Sequence, residues 1–454
     1  MSAVSAGDVL LLVALGLAGV GLLVLRRLRP VWYWLSVGAL ITLVRVLVTY
    51  RSVMEACGLT ERPTRLRLWL ARVADREPTR LIPKLRRVRV TRTGMILRIR
   101  MQPGQELHDF VVASERLRHS WRAHGAYVRS VKPGWVEIRL IAYDVLRSVV
   151  MPKGLPEGLL RVPVSLRSDG LPHWRDYRTT PHGLTIGATD SGKSVYLRGL
   201  IKRLASKPVA LVGIDCKWGV EFSPFAPRLS ALACTPEEAG VLLDVLVTEM
   251  TERYDLIRAA QYLAPGTPPE EITSDVWGLP EDIRPVPVVV IIDEVAELFL
   301  VATAAEEKRR DHMITQLIRL GQLGRAAAIY LEVCGQRFGS ELGKGATALR
   351  AQLSGRTVHR VNDEGTAKMA LADISAAAVV AATRIAEDRP GEAVAGDSSG
   401  GWTVIRSPFT SLHDATAACV RYAHLTPDLP ALASFRPATD PAPGEEAVPV
   451  FETA

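Results

Sequence analysis

The sequence predicts an α/β protein built around a parallel sheet, preceded by a small α+β domain and an apolar N-terminal segment. Apolar runs at residues 209–214, 286–292, 329–333 and 357–361 alternate with helical patterns, which is typical of parallel strands covered by helices on both faces. A glycine-rich loop at residues 187–194 follows another short apolar run. The chain has 454 residues, of which 48% are hydrophobic, so it can form two or three domains.

Residues 1–50 predict a membrane anchor with two apolar segments, at about residues 9–25 and 31–50. The first segment is uncharged and close to the minimum length of a membrane-spanning helix. Arginines and a proline separate the two segments, and aromatic residues at the start of the second are typical of a membrane interface. We favour a helical hairpin with both ends in the cytoplasm, because further arginines follow the second segment. A single span followed by an interfacial helix is the alternative.

The positive charge of the chain is concentrated in the same region. Residues 1–100 contain 18 Lys and Arg against 5 Asp and Glu, a net charge of +13, whereas the whole chain carries +8. A membrane-flanking segment explains this excess better than a nucleic-acid groove. Residues 51–85 are basic and amphipathic, and we expect this juxtamembrane segment to lie along anionic headgroups. The five cysteines are scattered without metal-ligand spacing, which predicts free thiols in a reducing compartment.

Residues 86–150 predict the small α+β domain. Two pairs of alternating apolar and polar runs, at about residues 87–101 and 127–141, indicate strands on either side of a helical pattern. Residues 151–180 contain many prolines and glycines and are predicted to be a linker. The parallel sheet is therefore expected to begin after this linker.

The glycine-rich loop fits the phosphate-binding pattern G-x-x-x-x-G-K-[ST]. It consists of Gly187, Ala188, Thr189, Asp190, Ser191, Gly192, Lys193 and Ser194. A strand before it and a helix after it would place backbone N–H groups around phosphates, at the positive end of the helix dipole. Lys193 is predicted to reach the β- and γ-phosphates of ATP, and Ser194 to bind Mg²⁺. An accidental glycine turn is the alternative, and the strand and helix beside the loop argue against it.

The second half of the nucleotide site is predicted at the end of the apolar run 286–292. Asp293 can hold Mg²⁺ there, directly or through water, and Glu294 is placed to polarise the attacking water. An Asp-Glu pair can also cap a helix, but its place about 100 residues after a phosphate loop favours catalysis. Gln336 follows the next strand and is predicted to sense the γ-phosphate, with a helix cap or turn residue as the alternative.

These motifs resemble those of the FtsK/SpoIIIE family of DNA translocases. The signatures of the family are matched in order at residues 181–194, 214–217, 249–254, 291–298, 324–337 and 354–361. The resemblance covers about residues 86–408. It implies a RecA-like P-loop motor at residues 181–408 that hydrolyses ATP with Mg²⁺ and moves double-stranded DNA with little sequence specificity. It also implies a homo-hexamer in which each nucleotide site is completed by a neighbouring subunit.

Three arginines are candidates for the residue that a neighbour contributes to the γ-phosphate. Arg253 is the first candidate, because it matches the arginine of the family's E-M-x-x-R-Y helix and is predicted to lie at the edge of a buried helix face. Arg325 and Arg356 are the alternatives. For each of the three, an ordinary salt bridge is an equal alternative.

Departures from the family pattern indicate a particular role. The chain has a two-segment anchor, almost no linker before the motor, and a tail at residues 409–454 that is too short for a linker plus a winged helix and is predicted to end in disorder. It is more similar to the short FtsK-like transfer proteins of actinobacterial integrative and conjugative elements. That resemblance implies conjugative DNA transfer at the cell membrane, with the motor in the cytoplasm. A chromosome-partitioning translocase at the division septum and the motor ATPase of an EccC-like protein-secretion channel are the alternatives.

Overall fold

The computed structural model describes residues 6–61, 80–261, 272–339 and 342–438, with side chains from residue 16 onward. The chain divides into two compact units, which consist of Met1–Ser148 with Ser168–Leu171 and of Val149–Arg167 with Pro172–Ala454. Most of the predicted juxtamembrane segment and the predicted disordered end of the tail lie outside the described residues.

The first unit combines two long helices with a small α+β fold. It begins with α1 (Ala6–Leu28) and α2 (Pro30–Ala56), and α2 contains a π-helical turn at Trp34–Gly38. Its strands are β1 (Lys84–Thr91), β2 (Gly94–Arg100), β3 (Gly125–Lys132) and β4 (Trp135–Ile141). They pair antiparallel in the order β1-β2-β4-β3. Helices α3 (Leu107–Val112) and α4 (Ser114–Ser120) connect β2 to β3.

Helix α2 contributes to the core of this small fold. Trp34 and Met54 are at most 3% exposed and belong to the same apolar cluster as Leu97 of β2. The Trp34 indole N–H also donates to the Thr91 carbonyl at 2.8 Å. Among the residues whose side chains the structure describes, which include only the second half of α1, α2 is the one helix long and apolar enough to cross a membrane, and 17% of its apolar window is buried. The second predicted anchor segment therefore packs one face on the small fold, which its mostly apolar sequence did not predict.

The second unit is built on one large, mostly parallel sheet, which confirms the predicted α/β class. Its strands are β5 (Arg161–Arg167), β6 (Pro172–Asp176), β7 (Gly183–Ile186), β8 (Ala210–Ile214), β9 (Leu229–Ala233), β10 (Val288–Ile292), β11 (Ile329–Gly335), β12 (Gly355–His359), β13 (Glu392–Gly396) and β14 (Trp402–Arg406). They are arranged in the order β6-β5-β14-β13-β12-β7-β11-β10-β8-β9. The strands from β12 to β9 in this order are parallel, and the remaining pairs are antiparallel.

Helices cover this sheet on both faces. They are α5 (Lys193–Leu204), α6 (Pro236–Gln261), α7 (Ala304–Leu323), α8 (Ala346–Gln352), α9 (Glu364–Leu371), α10 (Ala376–Thr383) and α11 (Leu412–Arg421). In β10, Val288 and Val290 belong to one apolar cluster, whereas Val289 and Ile291 belong to the cluster on the opposite face. Burial on both faces explains why these strands are continuous apolar runs rather than alternating ones.

The predicted linker and the start of the predicted tail are ordered parts of this unit. Residues 151–180, the predicted linker, contain β5 and β6 at the antiparallel edge of the sheet. Proline and glycine in this stretch conceal the strand pattern, and the register of β5 shifts between Pro163 and Ser165. The predicted tail begins with α11, in which Ala415 and Cys419 are fully buried.

Candidate active site

The phosphate loop connects β7 to α5 at the carboxyl end of the parallel strands. Gly187 N donates to the Gly335 carbonyl at 3.1 Å, which fixes the start of the loop to the end of β11. Gly192 has a φ of +94°, a conformation that residues with side chains rarely adopt, and a Cβ there would lie 2.2 Å from Gly391 N. Backbone conformation and close packing therefore both require glycine at this position.

Hydrogen bonds to Arg360, which follows β12 directly, hold the middle of the phosphate loop in place. Ala188 N donates to the Arg360 carbonyl at 2.9 Å, and the Arg360 guanidinium donates to the Thr189 carbonyl at 3.0 Å. Asp190 turns the chain with a φ of +59°. The Ser191 hydroxyl is buried and, in the described part of the chain, has no hydrogen-bond partner. Because buried polar groups are normally paired, this hydroxyl fits a loop that receives a phosphate oxygen.

Asp293 and Glu294 follow β10, and both residues are buried beside Lys193. Lys193 Nζ lies 3.2 Å from the Asp293 carbonyl oxygen and 3.3 Å from Glu294 Oε2. Ser194 is half-buried in the first turn of α5. Mg²⁺ at nucleotide sites is usually bound by one or two carboxylates together with substrate phosphates, so Asp293 and Ser194 fit this ion. The structure thus brings together residues that lie 100 positions apart in the sequence.

A second lysine, for which the sequence suggested no role, contacts the same carboxylates. Lys217 Nζ lies 3.0 Å from Asp293 Oδ2 and 3.8 Å from Glu294 Oε2. Burial alone would lower the pKa of Lys217, but the nearby carboxylates of Asp293, Glu294 and Asp215 together outweigh burial and raise this pKa above its ordinary value. The turn that carries Lys217 is held by the buried Asp215, whose carboxylate accepts hydrogen bonds from Lys217 N and Glu221 N. The signal that could have found Lys217 is its place just after a strand-end aspartate.

Gln336 lies directly after β11 and contacts Glu294 through its backbone. Gln336 N donates to Glu294 Oε1 at 3.2 Å, whereas the Gln336 side chain is exposed. The other oxygen of the carboxylate, Glu294 Oε2, faces Lys193. Glu294 therefore connects the phosphate loop with the end of β11. The role of the Gln336 side chain as a γ-phosphate sensor stays a prediction.

The three candidate arginines occupy different environments. Arg253 is 1% exposed and donates to Glu249 Oε1 at 2.8 Å and to the Ala327 carbonyl at 2.9 Å. Arg356 is also buried, whereas Arg325 is exposed. The Arg253 guanidinium thus lies inside its own subunit and not at the edge of a helix face.

Two family models match consecutive parts of the chain. Residues 22–142 match the N-terminal domain of actinomycete conjugal transfer proteins, and residues 146–340 match the FtsK/SpoIIIE family. The chain is also 57% identical to the transfer protein TraSA of Streptomyces ambofaciens over 411 residues. This match covers 90% of this chain and 99% of that protein. The chain belongs to the FtsK/SpoIIIE-like conjugal transfer proteins of actinomycetes. The predicted family, ATPase activity and function in conjugation are confirmed.

Other proteins are similar to smaller parts of this conjugal transfer protein. The DNA translocase FtsK of Streptococcus pyogenes serotype M3 is 34% identical over 194 residues, which are 40% of this chain and 23% of that protein. A structure of the pCW3 conjugation coupling protein TcpA with ATPγS has a TM-score of 0.49 and 20% identity, covering 76% of this chain and 93% of that chain. The part of this chain that matches the FtsK/SpoIIIE family, residues 146–340, contains Lys193, Asp293, Glu294 and Gln336.

Replacing Lys217 by methionine is expected to lower the Mg²⁺ concentration needed for nucleotide binding by about tenfold. The physical reason is that the Lys217 ammonium competes with Mg²⁺ for Asp293. A tenfold change corresponds to about 1.4 kcal/mol. This is slightly above the roughly 1 kcal/mol of an exposed ion pair, as suits a pair in which the Lys217 side chain is 43% exposed but Asp293 is buried. Titrating Mg²⁺ while following the binding of fluorescent ADP measures the effect.

The matched control is Lys368→Met, which removes an exposed lysine that pairs with Glu364 far along the chain. This control should leave the Mg²⁺ requirement unchanged. A higher Mg²⁺ requirement in Lys217→Met would show that Lys217 orients Asp293 for the ion, and the idea of competition would be wrong.

Proposed function

We propose that this chain hydrolyses ATP at the site formed by Lys193, Asp293 and Glu294 and couples hydrolysis to the movement of double-stranded DNA between conjugating cells. The observation that carries the proposal is the convergence of these residues at the carboxyl ends of β7 and β10. The relation to a transfer protein extends over nearly the whole chain, which favours conjugation over chromosome partitioning or protein secretion. The motor region is also similar to a protein named as a DNA translocase.

The geometry gives each residue a distinct task. Lys193 is positioned to neutralise the β- and γ-phosphates of ATP, and Mg²⁺ held by Asp293 and Ser194 would supply further positive charge. Glu294 accepts a hydrogen bond from Lys193 in the described structure. Once phosphate oxygens take Lys193 as their partner, Glu294 is free to accept a proton from the attacking water. Binding of the substrate therefore converts Glu294 from an ion-pair partner into a base.

Contacts of Glu294 also connect the reaction to an exposed segment. The Glu294 carboxylate accepts a hydrogen bond from Gln336 N, and the adjacent Arg337 pairs with Asp363 at 2.9 Å. A change at Glu294 on ATP binding can reach this segment through the backbone of Gln336. Arg337 and Lys344 are exposed there and suit contacts with DNA phosphates, which would give weak sequence preference and strong salt dependence.

Attachment to the cell membrane, with the motor in the cytoplasm, is part of the proposal. Helix α1 exposes Leu17 and Leu23, and α2 exposes Val44 and Val48, each by more than half. The opposite face of α2 packs on the small fold. A helix cannot be covered by a folded domain and surrounded by lipid along the same length. This packing supports a single span in α1 followed by an interfacial α2, rather than the hairpin favoured by the sequence.

The working form in this proposal is a homo-hexamer whose nucleotide sites are completed by neighbours. An arginine that acts on another subunit must be accessible from outside its own subunit. Arg325 meets this condition, whereas Arg253 and Arg356 are buried. The candidate for the neighbour's arginine therefore shifts from Arg253 to Arg325.

Two substitutions separate nucleotide binding from hydrolysis. Lys193→Ala should lose nucleotide binding, whereas Glu294→Gln should bind ATP and hydrolyse it at least about 100-fold more slowly, because it removes the base. ATPase assays of the full chain in detergent, with and without duplex DNA, measure both effects. Duplex DNA should stimulate the wild-type chain, and Glu252→Gln, an exposed carboxylate on α6, is the matched control. Normal ATP hydrolysis by Glu294→Gln would show that this residue is not the catalytic base. ATP hydrolysis by the wild-type chain that duplex DNA does not stimulate would favour a protein-secretion motor.

Mixing experiments test the arginine from the neighbour. Arg325→Ala should bind ATP normally but hydrolyse it poorly, and adding Lys193→Ala protein should restore part of the activity. A mixed ring can pair an intact phosphate loop with an intact Arg325. Arg253→Ala should instead lower the melting temperature, because it leaves the Ala327 carbonyl without its donor. No recovery at any mixing ratio, in rings shown to exchange subunits, would rule out Arg325.

A further inference from the structure

A cavity of about 410 Å³ opens in the first unit, where the start of α2 meets one end of the antiparallel sheet. Its wall on the helix side is the π-helical turn Trp34–Gly38 together with Tyr33. Gly38 allows this wall to form, since a Cβ there would lie 3.2 Å from ring atoms of both Tyr33 and Trp34. The hydrogen bond from the Trp34 indole to the Thr91 carbonyl holds the wall against the sheet. π-helical turns are rare and are found frequently at functional sites.

The cavity is lined by three arginines, Arg26, Arg45 and Arg122. We call it the arginine cavity. The described residues that line it include no Asp or Glu, and within the described chain none of the three arginines has a carboxylate within ion-pair distance. Arg45 donates one hydrogen bond, to the Trp121 carbonyl at 3.2 Å, and Arg26 lies over the Tyr33 ring at 5.7 Å. Most of their guanidinium donors therefore remain available to an anion.

Exposed apolar surface lies next to these charges. Leu28, at the end of α1, is 70% exposed, and Leu40 on α2 is 64% exposed. Ile41 lines the cavity and is 44% exposed. A small inorganic anion would make no use of this apolar surface. A ligand with a phosphate head and hydrocarbon tails would use both the arginines and the apolar surface.

We propose that the arginine cavity binds the phosphate headgroup of an anionic phospholipid, with the acyl chains lying along the apolar faces of α1 and α2. Arginine suits this task because its planar guanidinium forms paired hydrogen bonds with phosphate. Tyr33 and Trp34 belong to the residue types that concentrate at the headgroup level of a membrane. The proposal rests on the proposed membrane attachment and adds to it a preference for lipid charge.

This binding would fix the first unit at the membrane surface. Each basic residue near an anionic surface strengthens binding by roughly fivefold. The cavity joins the end of α1, the start of α2 and the end of the sheet, so a bound headgroup would hold the three elements together.

The test uses the full chain in detergent and native mass spectrometry. The probes are dioctanoyl phosphatidylglycerol, dioctanoyl phosphatidylcholine with the same chains but no net charge, and inorganic phosphate. The wild-type chain should bind phosphatidylglycerol at least about tenfold more tightly than either of the other two. Arg45→Gln/Arg122→Gln should lose this preference. Arg51→Gln, on the same helix but outside the cavity and paired with Glu55, should keep it.

A second double variant distinguishes loss of lipid binding from loss of folding. Arg26→Gln/Arg122→Gln changes only exposed arginines and leaves the hydrogen bond of Arg45 to Trp121 in place. It should also lose the preference, with an unchanged melting temperature. Equal binding of the two lipids by the wild-type chain would overturn the proposal, as would an undiminished preference in both double variants. Tighter binding of inorganic phosphate than of phosphatidylglycerol would overturn it too.

Vesicle flotation separates this proposal from membrane attachment itself. The wild-type chain should attach to phosphatidylcholine vesicles through its apolar helices, and about tenfold more strongly to vesicles that contain phosphatidylglycerol. Equal attachment to both would overturn the arginine cavity as a lipid site and leave membrane attachment standing. Attachment to neither would overturn both proposals.

Discussion

The insertion of β11 between β7 and β10 is the constraint on which the active site depends. Neighbouring strands lie about 4.8 Å apart, so the ends of β7 and β10 are separated by about 10 Å. A lysine side chain can cross this gap, and Lys193 does so to reach Glu294 at 3.3 Å. The region beyond the end of β11 is therefore where a γ-phosphate and its attacking water can lie together. Sheet hydrogen bonds, rather than a flexible loop, set this spacing.

The same arrangement concentrates charge. Lys193 approaches the carboxylates from the side of β7, and Lys217 approaches them from the turn after β8. Two cations balance two buried carboxylates, and this pairing avoids the large cost of burying a charge alone. A nucleotide with its metal must take over partners from this group. In the proposed function, binding of the nucleotide would therefore be coupled to rearrangement at Glu294 and Gln336, and a motor requires such a coupling.

The features that the sequence predicted depend on local pattern. The glycines of the phosphate loop, and Asp293 with Glu294 after an apolar run, could be recognised because spacing alone defines them. The features that the sequence did not predict depend on which residues, distant in the sequence, pack together in the fold. Arg253 lies on the buried face of α6, where its guanidinium donates a hydrogen bond to the Ala327 carbonyl. This acceptor is far from Arg253 in the sequence. Lys217 belongs to the site because β8 lies beside β10. Its place after a strand-end aspartate is a signal in the sequence, but the sequence does not show which strand lies beside β8.

The most direct measurement is displacement of a triplex-forming oligonucleotide from a linear duplex by the full chain. Removal of the third strand reports movement of the protein along the duplex rather than binding to it. We predict that the wild-type chain displaces the oligonucleotide when ATP is present, and that Glu294→Gln binds the same duplex without displacing it. Rapid, DNA-stimulated hydrolysis of ATP with the triplex left intact would contradict the coupling of this site to DNA movement.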